Sequence, residues 1–221
     1  MSSSSSRRTH PERLNVTAPN AQTIELARQS GARVIAEIGV YEGHTSVALA
    51  ELATERGGSL HLFDYQERVD PLVERLHAAG HTHVVGHGNS QKLMDSYNWS
   101  LMELMRSDAP PTFDYVFIDG AHVWGIDALT FFLADLMLAD GGHVDFDDYT
   151  WSLAASETMN PDVFPATAEL HTPEQIEERQ VGLIVDLLVR RDPRYVEVLP
   201  NKAYRKGPSQ RSARSRFRFR G

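Results

Sequence analysis

The fold is decided by the stretch Val34-Ile35-Ala36-Glu37-Ile38-Gly39-Val40-Tyr41-Glu42-Gly43-His44-Thr45-Ser46. A short β-branched apolar run leads to an acid, two glycines four residues apart and Thr-Ser, and residues 47–52 then read as a helix. This order predicts a buried parallel strand, a tight glycine turn and a helix. Glycine lets the backbone approach a ligand closely, and the helix points its N-terminal amides at the same place.

The glycine spacing and the neighbouring residues indicate which class of ligand the turn binds. It differs from the dinucleotide pattern G-x-G-x-x-G and from the phosphate-binding pattern G-x-x-x-x-G-K-[ST]. No lysine follows Gly43 directly, so a phosphate chain fits this turn poorly. Glu37, two residues before the first glycine, instead favours a ligand that carries a positive group.

The segment from Glu37 to Gly43 resembles the first motif of class I S-adenosylmethionine-dependent methyltransferases. In that family this turn holds the methionine end of the cofactor, whose amine and sulfonium are cationic. The resemblance implies S-adenosylmethionine as the cofactor. The expected cofactor-binding residues are Glu37, Gly39, Tyr41, Gly43, Thr45, Ser46, Asp64, Ser90, Gln91 and Asp119.

Composition restricts the class of protein. The chain has 221 residues and a formal net charge of −8, which argues against nucleic acid as the main partner. It contains no cysteine, which excludes disulfides and Cys-ligated metal sites. No apolar run reaches membrane-spanning length, and residues 1–8 lack the apolar core of a secretory signal. We therefore expect a cytoplasmic protein without a membrane partner.

The order of the segments predicts an α/β protein with a Rossmann-like doubly wound sheet, mostly parallel with a C-terminal antiparallel strand. This is the class I methyltransferase fold. Residues 1–16 are predicted to form a flexible arm, residues 17–206 a single methyltransferase domain and residues 207–221 a basic disordered tail. Residues 150–173 lack a regular pattern and are predicted to be an active-site lid.

Strands and helices follow from the apolar periodicity. The predicted strands are residues 34–38, 59–64, 82–87, 113–119, 143–149, 195–199 and 202–205. The predicted helices, besides the one after the glycine turn, are residues 19–30, 69–79, 91–106, 126–139 and 174–190. Three histidines near the third strand, His81, His83 and His87, would share a face by parity. Because no carboxylate accompanies them, we expect a surface role rather than a metal site.

Ligands of such sheets bind outside the carboxyl ends of the strands. Polar or acidic residues stand at five of these ends, so we expect them to meet at one edge of the sheet. They are Glu37 to Ser46, Asp64, Ser90, Asp119 and the pair Asp147-Asp148. Asp64 follows the glycine turn by about twenty residues, where an acid can bind both ribose hydroxyls.

Asp119, Asp147 and Asp148 bring three carboxylates together from two strand ends. Like charges at short range raise each other's pKa, and a divalent cation resolves the conflict. Oxygen ligands alone select a hard ion, so Mg²⁺ is the predicted metal. Helix caps or surface ion pairs are the competing interpretation of these acids.

Two further segments resemble one particular branch of the methyltransferase family. Asp119-Gly120-Ala121-His122 and residues 141–149 are similar to a bacterial branch of metal-dependent small-molecule O-methyltransferases, including macrolide sugar enzymes. Catechol O-methyltransferase is a more distant likeness, and its lysine base has no counterpart in residues 120–124. The predicted catalytic residues are therefore His122, as general base, and Asp119. A structural His122, with a metal-ligating aspartate as the base, is the alternative.

The predicted function is Mg²⁺-dependent methyl transfer from S-adenosylmethionine to a hydroxyl of a small molecule. A natural-product sugar, a vicinal diol or a catechol fits as acceptor. The alternatives are a methyltransferase without metal and a cofactor-binding homologue that catalyses a non-methylating reaction. A hydroxylase is disfavoured because no two-His-one-carboxylate set with convincing spacing is present. Helix 19–30 and the terminal strands are candidate faces for a homo-oligomer.

Overall fold

The computed structural model describes residues 18–92 and 94–208. The predicted arm and nearly all of the predicted tail lie outside the described residues. The helices are α1 Ala21–Ser30, α2 His44–Glu55, α3 Gln66–Ala78, α4 Tyr97–Met105, α5 Trp124–Met137, α6 Ala166–Leu170, α7 Pro173–Glu177 and α8 Gln180–Ile184, which continues as a π-helical segment, Val185–Val189. The strands are β1 Val34–Ile38, β2 Ser59–Tyr65, β3 Val84–Asn89, β4 Phe113–Ile118, β5 Leu138–Phe146, β6 Tyr195–Leu199 and β7 Ala203–Lys206.

The strands form one seven-stranded sheet in the order β3-β2-β1-β4-β5-β7-β6. Strands β1 to β5 pair in parallel, and β7 pairs antiparallel with both β5 and β6. The predicted fold class is confirmed. Chain order reverses between β1 and β4, which makes their carboxyl ends the topological switch point where such sheets bind ligands.

The core lies on both faces of the sheet. On β1, Ala36 and Ile38 belong to one apolar cluster and Ile35 to the other, and all three are fully buried. A central parallel strand covered by helices on both faces reads as a continuous apolar run, which is why the sequence of β1 is so recognisable. Within the described residues, no helix combines the length and the apolar character needed to span a membrane.

Two predicted boundaries are wrong in the middle of the chain. Helix α4 begins at Tyr97 rather than at residue 91, because the Ser96 side chain caps it and residues 90–92 and 94–95 are not helical. In this segment Asp95 accepts the Ser90 N–H at 2.7 Å. Strand β3 is Val84–Asn89 rather than residues 82–87.

Two more boundaries are wrong in the second half. Strand β5 begins at Leu138, directly after α5, so residues 138–142 belong to the sheet and not to a helix end. The predicted helix 174–190 is divided into α7, α8 and the π-helical segment. The predicted lid, residues 150–173, contains helix α6. Leu153, near the start of this segment, is buried. Whether this segment acts as a lid remains a prediction.

The three histidines do not share one face, because His81 and His83 precede β3. The expected surface role is wrong for His87. Its ring stacks on Phe63 at 4.5 Å between centroids, and its Nε2 lies 3.0 Å from His61 Nδ1. Burial lowers the pKa of both His61 and His87 to about 4.

This pair predicts a pH effect on stability. Between about pH 6.5 and pH 4 the unfolded chain binds protons that the folded rings exclude, so the free energy of unfolding falls as the pH falls. The slope is at most about 1.4 kcal/mol per pH unit for each ring. Urea unfolding of His87→Phe should show a flatter pH dependence than the wild type. His83→Phe, at an exposed position, is the control and should match the wild type.

Candidate functional site

The glycine turn after β1 is fixed by close backbone contact. Gly39 has φ 88°, and a Cβ there would lie 1.8 Å from the Asp119 carbonyl oxygen. Its N–H donates to the Phe63 carbonyl at 2.8 Å, and the Asp119 N–H donates to the Ile38 carbonyl at 2.8 Å. Strand pairing therefore continues past the end of β1 and brings the turn against Asp119.

The Asp64 carboxylate holds the same turn by hydrogen bonds to its backbone. Its Oδ2 accepts the N–H groups of Val40 at 2.9 Å and Tyr41 at 3.1 Å. Its Oδ1 accepts the Tyr65 N–H at 2.7 Å, and the carboxylate is also 3.4 Å from the Arg68 guanidinium. Both oxygens thus already have partners within the protein. The predicted contact of Asp64 with ribose stays a prediction, and its structural role is to position the turn.

Glu37 is chemically unusual in this region, because it is a carboxylate that is only 2 % exposed. Its Oε2 has no hydrogen-bond partner among the described residues. Burial raises the pKa of Glu37 to about 8; the nearby Ser46 hydroxyl partly offsets this, while Asp119 and Asp64 add to it. A buried acid with an unpartnered oxygen is the group that a cationic ligand would satisfy.

Glu37 lines a cavity of about 240 Å³ at the carboxyl ends of β1, β4 and β5. The other lining residues are Ala18, Asn20, Gly39, Val40, Tyr41, Glu42, Gly43, His44, Thr45, Asp119 and Asp147. Most of the predicted cofactor-binding residues therefore meet at one place. Ser46 is buried in the first turn of α2, next to this lining.

Ser90 and Gln91 do not line this cavity. They follow β3, which is separated from β1 by β2 in the sheet. The Gln91 side chain donates a hydrogen bond to Glu67. Their predicted contact with the cofactor stays a prediction.

Asn20 is a site residue that sequence reasoning missed. Its N–H donates to Thr45 Oγ1 at 2.9 Å, and its Nδ2 donates to Asp147 Oδ1 at 3.2 Å. Its own Oδ1 caps α1 by accepting the Thr23 N–H. Residue 20 falls inside the helix predicted over residues 19–30, and no local pattern indicates its contact with Asp147, which is 127 residues away.

Asp119, His122 and Asp148 form a compact cluster. His122 Nε2 lies 3.2 Å from Asp119 Oδ1 and 3.3 Å from Asp148 Oδ2. One donor atom from each of the three lies within 4.8 Å of the others. Both His122, with φ 57°, and Asp148, with φ 59°, have left-handed backbones in the segments that follow β4 and β5.

The turn that carries His122 is fixed by Asp127 of α5, a residue that is 1 % exposed. Asp127 Oδ1 accepts the Ala121 N–H at 3.2 Å. Burial raises the pKa of Asp127 to about 6 and also raises the pKa of Asp148. Burial lowers the pKa of His122, but the carboxylates of Asp119 and Asp148 outweigh this, so the pKa of His122 is raised overall.

Asp147, the third acid predicted to bind metal, lies outside this cluster. Its N–H extends the sheet by donating to the Ile118 carbonyl, and its Oδ1 is 3.6 Å from Lys202 Nζ. The same ammonium lies 3.0 Å from Oδ1 of Asp145, which is 0 % exposed. Sequence reasoning missed Lys202 because it enters the site from the turn between β6 and β7.

Removing the Lys202 ammonium should therefore destabilise the protein strongly. Lys202→Met leaves the carboxylate of Asp145 buried beside only neutral donors among the described residues, the Tyr115 hydroxyl at 2.6 Å and the Thr23 side chain. We expect a loss of about 3 kcal/mol in the free energy of unfolding, measured by urea titration. Lys202→Met/Asp145→Asn should recover most of this loss. Equal unfolding midpoints for the single and double variants would contradict the assignment.

Comparison with known proteins gives the family. A family model described as "Methyltransferase domain" matches residues 36–149. A methyltransferase from Podospora anserina, solved with SAH, is 19% identical and has a TM-score of 0.55 over 84% of this chain and 76% of that one. An O-methyltransferase from Bacillus cereus, in complex with SAH, is 17% identical and has a TM-score of 0.53 over 84% and 79%.

A third structure, an O-methyltransferase from Streptomyces achromogenes in complex with SAM, is 22% identical. The match covers 67% of this chain and 65% of that chain, with a TM-score of 0.46. We therefore infer nothing about function from this structure. A search of curated proteins finds no match. At these identities the solved structures show the fold alone. The family match spans more than half of the chain and includes the glycine turn, Asp119, Asp147 and Asp148, so the chain belongs to the methyltransferase domain family.

Proposed function

We propose that this protein is an S-adenosylmethionine-dependent O-methyltransferase that acts on a hydroxyl of a small molecule with the help of a divalent cation. The observation that carries the proposal is Glu37, a buried acid with an unpartnered oxygen beside a glycine turn that packs against the Asp119 backbone. The SAH found in the structures from Bacillus cereus and Podospora anserina, which share this fold, agrees with such a ligand.

The residues of the cavity fit this cofactor. When bound, S-adenosylmethionine supplies a methyl group on a cationic sulfonium. Ionised Glu37 offsets positive charge on the ligand, and Asp147 adds a second carboxylate to the same cavity. Gly39 and Gly43 both have left-handed backbones, which let the turn pack closely against Asp119 on one side and Leu72 on the other. Helix α2 begins at His44, so its N-terminal N–H groups lie at the cavity.

The cluster of Asp119, His122 and Asp148 fits the activation of the acceptor hydroxyl. When bound, a divalent cation acts as a Lewis acid that lowers the pKa of an acceptor hydroxyl. Asp119 and Asp148 offer the oxygen ligands that a hard cation such as Mg²⁺ takes. A sugar, vicinal diol or catechol acceptor suits such a site, because two neighbouring oxygens can bind one ion. His122 and the carboxylates of the cluster are the groups of this chain that can accept the hydroxyl proton.

Trp151 provides an apolar wall next to this cluster. Its ring centroid lies 5.1 Å from that of His122, and its backbone N–H donates to the Asp148 carbonyl at 3.0 Å. A flat apolar surface beside the proton-accepting groups helps to exclude water and to orient an acceptor. We extend the proposal to a cytoplasmic enzyme with a small-molecule partner rather than nucleic acid or membrane.

The proposal is tested with purified protein, S-adenosylmethionine and a panel of acceptors that includes catechols, sugar diols and matched compounds with a single hydroxyl. Mass spectrometry detects the methylated product and SAH. We expect transfer to acceptors with neighbouring hydroxyls, lost with EDTA and restored by a divalent cation. Transfer that EDTA does not affect would establish the metal-free alternative. Cofactor binding without transfer to any acceptor would favour the non-methylating alternative.

A further inference from the structure

We infer that the cation of this site is held by Asp119, His122 and Asp148, and that the imidazole ligand makes it a site for a transition-metal ion such as Mn²⁺ or Co²⁺ in preference to Mg²⁺. The inference rests on the proposed function, since it specifies the ion of the same site. It replaces Asp147 by His122 in the set of ligands predicted from the sequence.

The spacing of the three donors supports this set. Neighbouring ligand atoms of a six-coordinate ion with bonds of about 2.1 Å lie about 3.0 Å apart. His122 Nε2 lies 3.2 Å from Asp119 Oδ1 and 3.3 Å from Asp148 Oδ2, which is close to that spacing. All three residues follow the carboxyl ends of β4 and β5, and one donor atom of each lies within 4.8 Å of the others. The set thus provides one face of a coordination sphere and leaves other positions for water or an acceptor.

Asp147 is committed to other partners. Its Oδ1 accepts a hydrogen bond from Asn20 Nδ2 and lies near the Lys202 ammonium. Asp147 lines the cavity next to Glu37 and lies outside the cluster of Asp119, His122 and Asp148. The two adjacent aspartates therefore serve different halves of the site, Asp147 the cofactor half and Asp148 the cation half.

A second observation points to a cation at the cluster. Asp127, 1 % exposed, stands behind the turn of His122 with its Oδ2 unpartnered among the described residues. Three carboxylates, those of Asp119, Asp127 and Asp148, thus surround one imidazole. Asp127 is buried, whereas the side chains of Asp119 and Asp148 are 35% and 40% exposed. A bound divalent ion would offset the mutual repulsion of these partly buried carboxylates.

The imidazole decides which ion fits. Mg²⁺ takes oxygen ligands and keeps its waters, whereas imidazole is a good ligand for the first-row transition metals. The left-handed backbone of His122 and the hydrogen bond from Ala121 to Asp127 hold the ring towards the two acids. If His122 Nε2 binds the ion, it has no lone pair left for a proton. The proton acceptor is then a carboxylate, the alternative base considered from the sequence.

The test measures ion binding without cofactor or acceptor, so that it is independent of methyl transfer. The full chain is titrated with Co²⁺, Mn²⁺ and Mg²⁺, and Trp151 fluorescence serves as the signal because its ring lies beside His122. Co²⁺ is also followed by its visible absorption and Mn²⁺ by electron paramagnetic resonance. Trp151→Phe identifies the fluorescence that arises from this residue. Circular dichroism confirms that each variant is folded.

We expect Mn²⁺ and Co²⁺ to bind at least about tenfold more tightly than Mg²⁺. His122→Asn should weaken Mn²⁺ and Co²⁺ by at least about tenfold, since loss of even an outer-shell partner of a metal ligand costs that much. Asp148→Asn should weaken all three ions, and Asp147→Asn should leave ion affinity unchanged. His83→Asn, an exposed histidine, controls for adventitious binding and should match the wild type.

The opposite pattern would overturn the inference. Tighter binding of Mg²⁺ than of Mn²⁺, or a loss of ion affinity in Asp147→Asn but not in His122→Asn, would restore the acid triad predicted from the sequence. Absence of ion binding both without and with SAH would also overturn it. Ion binding as expected, combined with no methyl transfer to any acceptor, would leave the inference standing and refute the proposed function instead.

Discussion

Glu37→Gln is expected to weaken binding of S-adenosylmethionine by about a hundredfold or more. Removing one partner of a buried charge pair costs about 2–5 kcal/mol, and Glu37 is almost fully buried beside the cavity. Glutamine keeps the size and a carbonyl oxygen but removes the charge. Isothermal titration calorimetry measures the change in Kd.

Glu42→Gln is the matched control, because Glu42 lines the same cavity but its side chain is 37% exposed and pairs with His44. A solvated acid contributes little, so we expect its Kd to stay within about threefold of the wild type. Equal losses in the two variants would show that the cofactor does not use Glu37 as its specific counter-charge.

The same residue predicts how binding depends on pH. Because the pKa of Glu37 in the free protein is raised to about 8, the free protein holds this proton at pH 7. A cationic ligand favours the ionised form, so binding releases a proton and the affinity rises with pH up to about pH 8. The rise is at most about tenfold per pH unit and is absent in Glu37→Gln.

Stability of the ligand-free protein should change in the opposite direction. In the unfolded chain Glu37 loses its proton near pH 4.5, whereas in the folded protein it keeps it until about pH 8. The unfolded state therefore binds fewer protons between these values, and this residue lowers the free energy of unfolding as the pH rises. Urea unfolding of Glu37→Gln should lack this contribution.

Gly39→Ala is expected to abolish cofactor binding and to destabilise the protein by about 3 kcal/mol or more. Two costs add: a left-handed backbone at φ 88° and a Cβ that would lie 1.8 Å from the Asp119 carbonyl oxygen. The ends of β1 and β4 must separate to relieve this contact, which opens the switch point of the sheet. Urea unfolding and calorimetry with S-adenosylmethionine measure the two effects.

Gly31→Ala separates these costs. Gly31 also has a left-handed backbone, with φ 72°, but a Cβ there would meet nothing within 4 Å. This variant should lose only about 1–2 kcal/mol and bind the cofactor as the wild type does. If Gly39→Ala were no worse than Gly31→Ala, the close approach of the turn to Asp119 would not be essential.

Local patterns explain what the sequence could predict. Strand β1 and the turn to Gly43 were predicted because an apolar β-branched run, an acid and two glycines are neighbours in the chain. The carboxyl ends of β1, β4 and β5 meet as expected, since parallel strands place their ends at one edge. The start of α4 was missed because an apolar pattern extends N-terminally beyond Ser96, whose side chain is the cap.

Other features of the site could not be predicted from the sequence, because they depend on contacts between residues far apart in the chain. Asn20 reaches Asp147 across 127 residues, and Lys202 reaches Asp145 from the β6–β7 turn. Asp147 and Asp148 look equivalent in the sequence, but the left-handed backbone of Asp148 separates their partners. One residue contacts Lys202 and the other contacts His122. Only the folded chain shows this division.

Binding of S-adenosylmethionine in the cavity beside Glu37 is measured by calorimetric titration of the wild-type protein at pH 7, in two buffers of different ionisation enthalpy. We expect a Kd in the micromolar range and release of a proton on binding. No binding at millimolar cofactor, with the protein shown to be folded, would refute a cofactor site beside Glu37.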